Sequence, residues 1–195
     1  LWAGGQVPEP GSVRVNIRHE NNKYRIGIQA SMERKIRCVK LVVCGLPGGQ
    51  IINLRSRELA VIPQEGRLLN YPEGWRELAT PLVLLRSEDE SVYYLQSHDD
   101  RVREKKVLLK PIGGGITAEL IFEEDAARQG STVSVPEWEI GFEADIEAVL
   151  AGYQNHLEKA YSLQKWEDRP DVPAWARRIS LVAAIHLQHY TGYIF

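Results

Sequence analysis

The chain has 195 residues, with 24 Lys and Arg against 26 Asp and Glu, giving a formal net charge of −2. Its length suits one domain, or one domain with an appendage, and 44% hydrophobic with 26% charged residues is a globular composition that argues against disorder. The near-zero charge excludes a strongly basic nucleic-acid binder, and no run approaches the roughly 18 apolar residues of a membrane span, so neither nucleic acid nor membrane is an expected partner.

The opening LWAGGQVPEP has neither a cationic start nor a long apolar stretch, so no signal peptide is visible. The compartment stays open, with the cytoplasm favoured, and a first residue of Leu1 points to a start further upstream. Ser12 to His19 then alternates, with Val13, Val15 and Ile17 on one face and Arg14, Asn16 and Arg18 on the other. After Asn21-Asn22, Tyr24, Ile26 and Ile28 alternate in the same way, and this period of two predicts a hairpin of half-wet strands. The next segment, Ile36 to Cys44, holds both cysteines. On one strand Cys38 and Cys44 share a face at about 20 Å, too far for a disulfide, and are expected to be buried free thiols. A breaker, GLPGG, follows.

Further strands are predicted at Gln50 to Leu54, Leu59 to Ile62, Pro81 to Arg86, Ser91 to Gln96, Lys105 to Lys110, Ile116 to Glu123 and Thr132 to Phe142. PQEG, YPEG and SEDE punctuate them. Roughly ten strands with turn signals about every ten residues predict a mostly β protein, an antiparallel β-sandwich or barrel. The glycines 113 to 115 open a strand rather than a helix, which counts against a phosphate cradle.

The pattern changes at Glu143. Ile146, Val149, Leu150, Tyr153, Leu157, Ala160 and Tyr161 form the stripe of an amphipathic helix from Asp145, its N-cap, to Leu163. A proline-bearing linker, EDRPDVP, follows. The last segment reads as either helix or buried strand, and it ends on the apolar TGYIF. The predicted organisation is a sandwich domain over 1–142, a connecting helix and linker over 143–170, and a tail over 171–195.

Candidate chemistry is sparse. No GxSxG, HExxH, CxxC or GxxxxGK[ST] occurs, and no cofactor or metal is expected. His186 and His189 would share a helix face but lack a third ligand, so a structural pair is the simpler reading. SHDD, with His98 and Asp99, reads either as a His-Asp pair at the mouth of a site or as a polar turn whose Asp side chains satisfy the backbone. Trp75, in the turn-rich YPEGWREL, is either a sugar-stacking platform or a loop anchor. The scattered Arg and Lys residues read as solvated charge.

Two stretches resemble a known family. LNYPEGWRELATPLVLLRSEDESVYYLQSHDDRVREKKVLLKP, from Leu69 to Pro111, resembles the centre of the galactose-mutarotase-like supersandwich modules that precede the catalytic barrel in several glycoside hydrolases. PEWEIGFEADIEAVLAGYQNHLEKAY with RPDVPAWARRISLV resembles the helix that links such a sandwich to its barrel. The resemblance implies a supersandwich with a C-terminal amphipathic helix, a tail at 171–195 that starts a truncated (β/α) barrel, and catalytic carboxylates on the absent barrel, so no catalytic residue is assigned in this chain. It implies a non-catalytic module that supports the barrel and contacts carbohydrate through Tyr71, Trp75, His98 and Asp99. The alternatives are an aldose-epimerase-like enzyme using His98 and a nearby carboxylate, and a stand-alone carbohydrate-binding module using Tyr71 and Trp75. The apolar tail predicts self-association.

Overall fold

The computed structural model describes residues 10–54, 56–73, 78–143, 145–165 and 168–179. Eleven strands and one α-helix follow one another along the described chain: β1 Gly11–Glu20, β2 Lys23–Met32, β3 Cys38–Pro47, β4 Gly49–Ile52, β5 Leu59–Val61, β6 Arg67–Tyr71, β7 Leu82–Ser87, β8 Val92–Ser97, β9 Lys105–Ile112, β10 Gly115–Glu123, β11 Thr132–Glu143 and α1 Ile146–Ala160. All pairings are antiparallel. They make a seven-stranded sheet, β1-β2-β11-β8-β7-β4-β5, and a four-stranded sheet, β3-β10-β9-β6. The β-sandwich expected from the strand spacing is therefore the fold.

The strands alternate because one face must leave water. Ile26, Ile28, Val83, Leu85, Tyr93 and Leu95 of the wide sheet meet Val107, Leu109, Ala118, Leu120 and Phe122 of the narrow one in a single apolar cluster. Each such side chain contributes roughly 1.5–3 kcal/mol by leaving water. Tight turns are built from residues that tolerate positive φ: Asn21 at 49° between β1 and β2, and Gly113 and Gly114 at 59° and 84° between β9 and β10. The three glycines thus serve a hairpin.

One irregularity sets the geometry of the centre. On β11, Val133 and Val135 face the core, and then Trp138 and Ile140 do, so the inward residues switch from odd to even. A bulge between Val135 and Trp138 causes the switch, because two residues there oppose one on β2. Without it Glu139, an odd residue, would point into the apolar layer.

The wide sheet is also covered in places on its other face. All six residues of β8 are buried, as expected of a central strand with both faces out of water. Leu150 and Tyr153 of α1 line one cavity with Ile52, Leu82 and Leu84 from that outer face. Asp145 caps the helix by accepting from the Glu147 backbone N–H at 3.1 Å, Glu147 lies in its first turn and Lys159 in its last. The helix closes at Ala160, before the expected Leu163. The chain divides into two compact units, Leu1–Gln154 and Asn155–Phe195, and the divide falls inside α1. In the second unit Arg169 pairs with Asp171 and a 3-10 turn spans Ala176–Arg178.

Three sequence expectations are corrected. Cys38 and Cys44 share a face, but both are exposed. β3 is a sheet edge, and Val39, Leu41 and Val43 take its inward positions. The strand β6 was hidden beside the YPEG breaker, and β3 runs through the first part of GLPGG to Pro47. The apolar segment after Ile179, including His186, His189 and TGYIF, lies outside the described residues, as does Trp75.

Val149 of α1 is buried, 3% exposed. Val149→Asp should place an unpaired carboxylate there and release the helix. Hydrogen exchange is expected to show α1 amides losing protection while the β8 amides keep theirs; unchanged protection in α1 would contradict the docking.

Candidate functional site

His98 and Asp99 follow the last residue of β8, and their side chains enter two different ionic clusters. His98 is positioned by the β11 bulge, since its backbone N–H donates to the Glu137 carbonyl at 2.8 Å. Its ring continues the outer face of β8, on which Tyr94 also lies, and Nε2 is 3.0 Å from Glu139 Oε2. A carboxylate can only accept, so Nε2 carries the proton.

Glu139 is the hub of this first cluster. Its residue is 4% exposed, and it accepts from the Tyr94 hydroxyl at 2.6 Å and from Arg25 Nε at 2.9 Å besides His98. Burial pushes its pKa up, but the hydrogen bonds from His98 and Tyr94 and the electrostatic pull of His98 and Arg25 outweigh burial and hold it at about 2. Tyr94 is pushed up, by burial first and then by its bond to Glu139, so it stays a donor. Gly141 makes this arrangement fit, because a Cβ there would lie 2.3 Å from the Tyr94 ring.

Asp99 is the hub of the second cluster. Arg103 grips it in a bidentate fork, Nε to Oδ2 and Nη2 to Oδ1, both at 2.9 Å. Lys105 Nζ lies 2.9 Å from Oδ2, and the Arg101 backbone N–H donates to Oδ1 at 3.1 Å. Burial raises the Asp99 pKa, yet Arg103 and Lys105 together bring it below the usual carboxylate range. Lys105 is 1% exposed and its pKa is lowered, chiefly by burial. Its ammonium also donates to the carbonyls of Arg103 and Arg101 and lies 4.9 Å from the centre of the Tyr71 ring. Arg103 extends the network to Glu124 at 3.0 Å and stacks over Phe122.

Of the four residues predicted to contact sugar, Tyr71 and Asp99 are thus brought together through Lys105. His98 turns to Glu139 instead, and Trp75 lies outside the described residues. The turn reading of SHDD also holds in part, since Asp99 caps the backbone of Arg101. The reading of Arg and Lys as solvated charge fails at Lys105 and Arg103, which are drawn in by the buried carboxylate. Sequence reasoning missed Glu139, Arg25, Tyr94, Arg103 and Lys105. The one available signal was the Lys-bearing strand after SHDD.

A cavity of about 470 Å³ adds a second concave feature, with largely aliphatic walls and with Arg67, Glu73 and Thr80 among its polar lining. The Thr80 hydroxyl oxygen is buried without a hydrogen-bond partner among the described residues. Among the described residues no group of three His, Cys, Asp or Glu could hold a metal, and no helix is long and apolar enough to cross a membrane.

No family model matches the chain, and no curated protein matches it. Among solved structures, the galactosidase domain of alpha-galactosidase-sucrose kinase, AgaSK, is similar over 68% of this chain at 15% identity, with a TM-score of 0.38. The match takes in 22% of that chain's length.

Two outcomes are expected from these clusters. Asp99→Asn leaves Lys105 buried without its counter-charge and Arg103 with Glu124 alone, and should cost about 3–5 kcal/mol in chemical denaturation. Lys105→Met should cost less, because Arg103 still neutralises Asp99; equal losses would contradict the role given to the fork. Glu139 is held at about 2 against an ordinary 4.5, so its contribution is complete above pH 4.5 and is lost as pH falls from 4.5 toward 2. At 1.36 kcal/mol per unit this approaches about 3 kcal/mol, and Glu139→Gln should flatten the acid limb of melting temperature against pH.

Proposed function

We propose that this chain is a non-catalytic, galactose-mutarotase-like β-sandwich module of a glycoside hydrolase, one that supports a catalytic barrel and contacts carbohydrate at its rim. The observation that carries the reading is the state of Glu139. A general acid or base at neutral pH needs a pKa near the working pH and a free approach to the substrate. Glu139 has neither: three donors occupy its two oxygens and its pKa sits near 2. Asp99 is committed to Arg103 and Lys105 in the same way. Charges paired to this degree favour a scaffold role. The resemblance of Leu69 to Pro111 and of the α1 segment to such modules supports the same reading.

Sugar contact is assigned to Tyr71 and, four residues on in the sequence, to Trp75. Lys105 lies over the Tyr71 ring, so stacking would fall on Trp75 and on whatever part of Tyr71 the ammonium leaves open. Aromatic faces bury the apolar side of a sugar ring.

The epimerase-like alternative draws support from one observation, the His98–Glu139 contact at 3.0 Å. The two readings part on a single assay. Polarimetry of freshly dissolved aldoses should show anomer exchange at its spontaneous rate in the presence of the protein. A protein-dependent acceleration that His98→Ala abolishes would replace the scaffold reading. In the parent polypeptide, glycoside hydrolysis should survive His98→Ala below the melting temperature of the variant.

A further inference from the structure

We propose that β1 is a dimerisation edge, at which two copies of this chain pair antiparallel about a twofold axis through Val15 and join their wide sheets into one. All ten residues of β1 are exposed, including Val13 at 49%, Val15 at 39% and Ile17 at 38%. Their pairing partners on β2 are Ala30, Ile28 and Ile26, all buried in the inter-sheet core. The three apolar side chains therefore share the core-facing side of the wide sheet, at its margin, where the narrow sheet leaves them in water.

Among the described residues the outer edge of the β1 backbone is equally unpartnered. Glu20 and Lys23 flank a two-residue turn, so they form a hydrogen-bonded pair, and the same parity directs Arg18, Asn16, Arg14 and Ser12 toward β2. Residues 11, 13, 15, 17 and 19 then turn their N–H and C=O groups outward. Protein sheets guard such edges with prolines, bulges, inward charges or brevity. The other sheet edges here use these devices: β5 has three residues, β6 begins on Arg67, and β3 carries Lys40, a bulge opposite Ile116 and Ala118, and Pro47. β1 has none. It contains no proline, its register with β2 is unbroken over ten pairs, and both of its arginines sit on the face away from the core.

The side-chain register of β1 fits a second copy as the occupant. With the axis at Val15, Val13 lies opposite the partner's Ile17, and Val15 opposite the partner's Val15. The apolar stripes merge, and both core faces lie on the same side of the joined sheet. On the other face Arg14 meets the partner's Asn16, and Arg18 meets the partner's Ser12, so no arginine opposes another. Moving the axis to Asn16 would set Arg14 against the partner's Arg18 twice, which is destabilising.

The test is sedimentation of the whole chain across a concentration series. A reversible dimer is expected. Val15→Pro removes an outward N–H without touching a β1–β2 bond, and Val15→Lys sets two ammonium groups across the axis; both should yield monomer with unchanged circular dichroism. Asn16→Glu places a carboxylate opposite the partner's Arg14 at two symmetric positions and should tighten the dimer several-fold, while Asn16→Arg should weaken it by a similar factor. A chain that stays monomeric throughout overturns the proposal. So does a dimer indifferent to positions 15 and 16, or one that Ile194→Asp in the apolar tail abolishes and Val15→Pro does not.

Discussion

Asp99 holds two cations with one carboxylate, and the end of the sandwich depends on that sharing. Arg103 and Lys105 each bring a positive charge into a place that water barely reaches. Lys105 is among the most buried side chains of the molecule, alongside Trp138 and Phe122. Left alone, its ammonium would lose its proton or drag the strand open. With Asp99 beside it, the same ammonium can tie down the carbonyls of the 101–103 loop and lie against Tyr71, so that one turn is fastened to both β9 and β6. Glu139 does the equivalent work on the wide sheet, where it ties β2, β8 and β11 through Arg25, Tyr94 and His98. Both hubs are neutralised internally.

Much of the sandwich was legible in the chain because alternation is a local signal. Val13, Val15 and Ile17, or Ile116, Ala118, Leu120 and Phe122, announce a strand whichever neighbours they find. The stripe of Val149, Leu150 and Tyr153 announces a helix for the same reason. Which face finds cover is not local. Cys38 and Cys44 look like core residues until β3 is known to be an edge. Leu82 and Leu84 become buried only because the sheet is covered on the side away from the core.

The ionic clusters were less legible. His98 and Asp99 stood out as a polar pair after an apolar strand, yet nothing near them in sequence indicates that Glu139, 41 residues away, would complete the first cluster. Glu139 lies in a strand whose alternation is interrupted. Read without the bulge, PEWEIGFE offers no reason to send one glutamate into a buried cluster and to leave Glu137 at the surface beside Arg18. Lys105 was hidden by the opposite problem: a lysine beginning a strand is ordinarily solvated, and only the full closure of the 98–105 loop removes it from water.

The bulge on β11 makes this strand sensitive to length in a way that its composition does not reveal. Residues 136 and 137 act as a phase shifter, setting which faces Trp138 and Ile140 present relative to Val133 and Val135. Pairing that stretch residue for residue with β2 would keep every amino acid in place and still invert the downstream half, casting the indole into solvent and driving a carboxylate into the apolar layer, whereas removing one of the two residues restores plain alternation and leaves Trp138 and Ile140 inward. Among variants of this fold, a single deletion in β11 should therefore be tolerated at 136–137 and not from Trp138 to Phe142, where it would break the alternation.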